Sequence, residues 1–194
     1  MSKFYRSALV LVALVMLSGS LKPEADSTVL LMGDSIAQEM SDDMSFQLLW
    51  RDNAPLYVVN AMGGFTTSES TSAEYWVSRM NQIQADTIFI SLGTNDAAAG
   101  AELADFEYAV HLILDAAGDS QVYWLLPSAL TTRIEGMMEV RAALIMIVAL
   151  YPNAETVEVL EGAHDTDNIH LSRHGEAETA KQFVRLLGLS ASEW

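Results

Sequence analysis

The chain has 194 residues, of which 51% are hydrophobic, and a formal net charge of −16, enough apolar material for one well-buried domain and too little for two ordinary ones. A surface this acidic repels phosphate backbones and anionic lipid headgroups, which argues against nucleic acid and peripheral membrane binding. The chain contains no cysteine, so disulfides, thiolate zinc sites, a cysteine nucleophile and a lipoprotein anchor are excluded.

In chain order, Lys3 and Arg6 precede the apolar run "SALVLVALVML" and then the small residues Ser18, Gly19 and Ser20. This is the layout of a secretory signal peptide over 1–20, with cleavage after Ser20 or as late as Ala25, and its apolar core is shorter than a membrane-spanning helix. A domain over 27–190 follows. "STVLLM" (27–32) reads as a buried strand, and Ile36, Met40, Met44 and Leu48, spaced by four, mark one face of a helix. "LYVVNAM" (56–62) is a second strand. Thr71 to Glu74 has the pattern of a capping box opening a helix whose apolar face is Trp76, Met80 and Ile83. "DTIFISL" (86–92) is a third strand. Leu103, Phe106, Val110, Ile113 and Ala117 then mark a helix stopped by Gly118. "QVYWLL" (121–126) is a fourth strand, and a Met-rich helix over 134–150 ends near Pro152. "ETVEVLE" (155–161) alternates as an edge strand does, and a last helix runs from about Ser172 to Leu187. Five strand–helix alternations with short connections require a parallel sheet with helices on both faces, a three-layer α/β domain.

The loops after parallel strands emerge on one edge of the sheet, where open α/β sheets place their sites. Those loops carry Gly33-Asp34-Ser35, Asn60 to Gly64, Gly93 to Asp96, and "AHDTDNIHLSRHG" with Asp167 and His170. In the first loop, Gly-Asp-Ser is also ordinary turn chemistry, with Asp or Ser capping the next helix. Taken together the loops supply a hydroxyl, an imidazole, a carboxylate and several amide donors, the parts of a serine hydrolase. Histidine has the pKa to accept the serine proton. Asp167, three residues before His170, is placed to orient the ring. The N–H groups of Ser35 and Gly64 and the Asn95 side chain are the candidate oxyanion donors, with Gly63 as the alternative glycine.

Other readings attach to several of these residues. Asn95 suits a turn, and Asp96 is expected to cap or brace its loop. His164, Asp165, Asp167 and His170 are all possible metal ligands, yet no further ligand cluster supports them, so no metal is expected. His164, paired with Glu161, and His174 compete with His170 as base. His111 is expected to be structural, Met137, Met138 and Met146 to be core, and Arg133 to be a solvated surface residue.

In "GDS" (33–35), the glycine of "NAMGGFT" (60–66), "GTND" (93–96) and "DNIH" (167–170) continuing into Leu-Ser, the sequence resembles the SGNH, or GDSL-type, hydrolase superfamily. The four blocks come in that family's order. The resemblance implies a flavodoxin-like α/β/α sandwich with a five-stranded parallel sheet and ester hydrolysis without a cofactor. It also implies Ser35 as nucleophile, His170 as base, Asp167 as its partner, and Ser35, Gly64 and Asn95 as oxyanion hole. The chain departs from the family in having Ala37-Gln38-Glu39 where a glycine is common soon after the nucleophile. It also lacks the G-x-S-x-G elbow of α/β-hydrolases around Ser35.

The sequence thus leads to a secreted or periplasmic serine esterase acting on short acyl groups, acetyl above all, carried by a small molecule or a carbohydrate. It would have no stable membrane association after cleavage; the oligomeric state is not defined by the sequence. The alternatives are a lysophospholipase or thioesterase acting on longer chains, with the apolar Ala97 to Gly100 loop beside Asn95, and a non-catalytic carbohydrate-binding relative.

Overall fold

A computed structural model describes residues 27–49, 55–68, 70–129, 134–159, 164–167 and 169–189. The signal-peptide reading of 1–20, together with Arg133 and Glu161, lies outside the described residues. The elements run β1 (Thr28–Gly33), α1 (Ser35–Leu49), β2 (Leu56–Ala61), α2 (Ser70–Ile83), β3 (Thr87–Ser91) and α3 (Thr94–Ala99). They continue with α4 (Leu103–Ala117), β4 (Gln121–Leu125), α5 (Met137–Val148), β5 (Ala154–Val157) and α6 (Arg173–Leu186). The strands form one parallel sheet in the order β2-β1-β3-β4-β5, so β5 is an edge strand, as its alternation predicts.

The two faces of the sheet build two cores, because successive strand side chains point to opposite sides. Leu30 and Met32 of β1 join Trp76, Ile90, Val110, Ile113, Trp124 and Leu144 under α2, α4 and α5. Val29 and Leu31 face the other way, toward Met40, Met44, Phe89, Phe183 and Val184 under α1 and α6. The ring of Phe89 stacks on that of Phe183 at 4.2 Å between centroids. The every-fourth face of α1 is buried as its spacing requires: Ile36, Met40, Met44 and Leu48 are all core residues.

Three local expectations change. Helix α2 begins at Ser70, one residue before the expected cap, so Thr71 lies inside the helix. Helix α5 begins at Met137, because Gly136 before it has a left-handed φ of 79°. Of the three methionines expected in the core, only Met137 is buried; Met138 and Met146 are exposed. Segment 137–150 is apolar on nearly its whole circumference, so the pattern alone does not select the buried face. Packing against the sheet selects Met137, Val140, Leu144, Ile147 and Val148.

Candidate active site

The carboxyl ends of β1, β2 and β3 converge, and the close approach of β1 to β3 sets their geometry. Gly33 pairs with Ser91 in the ladder, and a Cβ on Gly33 would lie 2.2 Å from the Ser91 carbonyl oxygen. Only glycine fits there. Asp34 N–H donates to the Ser91 carbonyl at 3.0 Å, and the Asp34 carboxylate accepts the Ile36 N–H at 3.0 Å, capping α1. The capping reading of Gly-Asp-Ser therefore holds for Asp34, and it places Ser35 as the first residue of the helix. There the positive end of the helix dipole favours negative charge formed near Ser35.

Ser35 Oγ lies 3.2 Å from His170 Nε2, and His170 Nδ1 lies 2.8 Å from Asp167 Oδ2. The other oxygen of Asp167 accepts the backbone N–H groups of Ile169 at 2.8 Å and His170 at 3.0 Å. One carboxylate thus folds its own loop and orients the imidazole. The loop is closed by the bridge between His164 and Leu171 and by the Asp165 N–H on the His170 carbonyl at 2.9 Å. Ser172 caps α6 directly after it.

The charges around the imidazole are unevenly arranged. The His170 hydrogen bond, opposed by desolvation and aided by the two loop N–H groups, holds Asp167 down at about 2. His170 is raised above its ordinary value, chiefly by its bond to Asp167 and further by the charges of Glu39, Asp167 and Asp34 against desolvation. An ionised Asp167 fixes the proton on Nδ1, leaving the Nε2 lone pair directed at Ser35. The arrangement can therefore carry a proton from the Ser35 hydroxyl to the ring. Asp34 is different: burial pushes it up to about 7, with nearby Asp96 adding to the rise, while the Ile36 N–H and His170 oppose it.

The loop after β2 is braced from β3. Asp96, fully buried, accepts the Thr67 N–H at 2.9 and 2.8 Å and the Ser68 N–H at 2.7 Å; it braces the neighbouring loop rather than its own. Asn95 Nδ2 donates to the Phe65 carbonyl at 3.0 Å and reaches Asp34 Oδ2 at 3.5 Å, so its amide sits where the three loops meet. The buried indoles of Trp76 and Trp124 donate to Thr66 and Leu92 carbonyls at 3.4 and 3.1 Å, fastening the same loops from below. Of the two candidate glycines, Gly64 has a left-handed φ of 81°, while a Cβ on Gly63 would lie 3.9 Å from Ser35 Cβ. The Gly-Thr-Asn-Asp segment, for which a turn is the competing reading, is the start of helix α3, flanked by left-handed Gly93 and Gly100.

The competing histidines stand apart from this relay. His164 has a buried Nδ1 with no partner, and His174 is exposed. His111 contacts the Tyr151 hydroxyl at 2.9 Å, which in turn donates to Asp115, a structural role as expected. Among the described residues no group of three or more His, Asp or Glu side chains is placed to hold a metal ion, and no helix is long and apolar enough to cross a membrane.

Two charged residues at this edge are invisible to motif reading. Glu39 of α1 accepts the Leu171 backbone N–H. Arg141 of α5, buried, donates to the Pro127 carbonyl at 2.8 Å and pairs with Glu158, joining the ends of β4 and β5. The spacing of Glu39 from Ser35 is the only sequence signal for the first, and none exists for the second.

No protein-family model matches the chain, and no curated protein matches it. Solved structures do. An acetyl xylan esterase from Geobacillus stearothermophilus superposes with a TM-score of 0.64 at 15% identity, covering 90% of this chain and 100% of that one. A lipase/acylhydrolase from Enterococcus faecalis gives 0.65 at 18% identity over 87% and 100%. A lipolytic protein of the G-D-S-L family from Desulfitobacterium hafniense gives 0.64 at 15% identity over 83% and 99%. At these identities the likeness is one of fold, a five-stranded parallel sheet between helices.

Proposed function

We propose that this chain, which has the fold of the G-D-S-L-type esterases, is a serine hydrolase of carboxylic esters with Ser35 as nucleophile. The observation that carries this reading is the continuous Ser35–His170–Asp167 contact, 3.2 and 2.8 Å, at the sheet edge. As Ser35 Oγ attacks the ester carbonyl, its proton passes to His170 Nε2 and an imidazolium forms beside the Asp167 carboxylate. The same proton then goes to the departing alcohol. Water, deprotonated by the neutral ring, releases the acid from Ser35 in the second half. The Ser35 and Gly64 N–H groups are the proposed oxyanion donors, joined by the Asn95 amide when it exchanges its long 3.5 Å contact with Asp34 for the oxyanion. No step calls for a cofactor.

The substrate reading rests on openness. The His170 and Asp167 side chains are 41% and 44% exposed, which suits a short acyl group such as acetyl on an accessible alcohol better than a tunnel for a long chain. The likeness to an acetyl xylan esterase agrees with a carbohydrate ester. A second reading, longer acyl chains, draws on exposed Met62 beside Gly63 and on the likeness to a lipase/acylhydrolase. Export through 1–20 is part of the proposal.

Fluorophosphonate labelling, followed by p-nitrophenyl esters of increasing acyl length, tests it. Labelling is expected at Ser35, with kcat/KM highest for acetyl or butyryl. A maximum at long chains would select the second reading, and an unlabelled Ser35 would select a non-catalytic binding protein. Activity should rise with pH as His170 loses its proton. Because its neighbours raise its pKa, the rise should lie on the alkaline side of the ordinary imidazole range.

A further inference from the structure

Glu39 stands one helical turn beyond Ser35 on α1, and residues four apart share a helix face. Its carboxylate accepts the backbone N–H of Leu171, the residue directly after His170. Leu171 is buried and bridges to His164 across the loop, so this one hydrogen bond fastens the loop of the base to the helix of the nucleophile. The second Glu39 oxygen, Oε2, is buried and has no hydrogen-bond partner. Burying a carboxylate this way is costly unless a nearby positive charge offsets it. The charged groups facing Glu39 are His170 and Asp167 from the loop and Glu176 from α6; burial and the two acids raise its pKa, and His170 lowers it. His170 in turn faces Asp167, Glu39 and Asp34. Of these groups the imidazole is the one that gains from a charged Glu39; the Arg173 guanidinium is engaged by Glu176 at 2.6 Å and Asp43 at 3.5 Å. An amide would serve the Leu171 N–H equally well.

We propose that Glu39 is a positioning residue for the base: it pins the His170 loop to α1 through the Leu171 N–H and, as a second anion beside Asp167, stabilises the imidazolium formed when Ser35 gives up its proton. This rests on the Ser35–His170 relay proposed above. The carboxylate acts through the ring and its loop, without touching the reacting atoms.

Glu39→Gln and Glu39→Ala separate the two actions, since glutamine keeps the acceptor and loses the charge while alanine loses both. The His170 ring proton is titrated by NMR in the full chain, assigned by its absence in His170→Ala, and kcat and KM are measured against pH. In both variants His170 should titrate at lower pH than in the parent, and the acid limb of kcat/KM should follow. Above that limb Glu39→Gln should retain kcat within a few-fold, whereas Glu39→Ala should lose about 10–100-fold in kcat with KM little changed, as a misplaced base does. A His170 titration unmoved in Glu39→Gln overturns the electrostatic role. Parental kcat in Glu39→Ala overturns the pinning role. The titration needs no substrate: were Ser35 to resist fluorophosphonate and every ester to survive, the esterase reading would fall and the NMR result would still decide the role of Glu39.

Discussion

Asp34 and Asp167 are the same side chain in opposite settings at the two ends of the relay. Asp34 closes β1, is buried, and is pushed up to about 7 by desolvation. Asp167 sits on an exposed loop and is held at about 2 by its bond to His170 and by two backbone N–H groups. Ser35 is held by the packing of a parallel sheet, and His170 by hydrogen bonds within a few consecutive residues. The two halves should therefore fail differently when disturbed.

Where the halves meet, the loss is largest. Ser35→Ala and His170→Ala should each lower kcat by at least about 10⁴-fold, and the double variant should lose no more than either, because the two groups act as one unit. Additive losses would mean that they work independently. Next is the sheet itself: Gly33→Ala sets a Cβ against the Ser91 carbonyl and should destabilise the fold by about 3–5 kcal/mol in chemical denaturation. A loss below about 1 kcal/mol would show that β1 and β3 part easily, and the contrast between a rigid and a local half would dissolve.

The contrast sharpens with pH. A carboxyl group whose pKa is raised on folding contributes stability that is whole below its unfolded pKa and is lost as pH rises through the folded value. For Asp34 that window runs from 3.8 to about 7, and the fall should amount to about 2–4 kcal/mol. Asp34→Asn, which can still cap α1, should remove this slope in unfolding free energies measured from pH 4 to 8. Asp167 has the opposite sign: its contribution is present above 3.8 and is lost only as pH falls through about 2.

The smallest effects belong to the loop. Asp167→Asn should lower kcat about 10²-fold through a wrong ring tautomer while leaving stability nearly unchanged, since the site is exposed. His164→Ala should stay within a few-fold of the parent in kcat. A dead His164→Ala beside an active His170→Ala would reverse the assignment of the base.

What the sequence discloses follows from the range of the forces involved. The parallel sheet is legible because buried strands such as "TVLLM" and the every-fourth face of α1 are local patterns. The pairing of Asp167 with His170 is legible because it spans three residues. Gly-Asp-Ser admits two readings, capping and nucleophile, and they fall on adjacent residues: Asp34 caps α1, and Ser35 is directed at His170. Helix α3 was hidden because Gly-Thr-Asn-Asp has turn chemistry, and the helix draws on Ala97 to Ala99 with a left-handed glycine at either end. The exposure of Met138 and Met146 was hidden because a helix apolar on nearly its whole circumference does not announce its buried face. Glu39 and Arg141 depend on Leu171, Pro127 and Glu158, partners in other elements, and no local pattern encodes such a meeting.

The contact between Ser35 and His170 joins positions 135 apart in the chain, and α6, which follows the histidine, packs against α1. Reactivity is therefore a late property of folding. The strands that hold the serine can pair while the C-terminal segment is still unattached, and during that interval the hydroxyl has no base. Closing so long a loop is slow compared with forming the local elements. On the proposed function, a newly made chain would lack the Ser35–His170 contact until its last helix docks on α1.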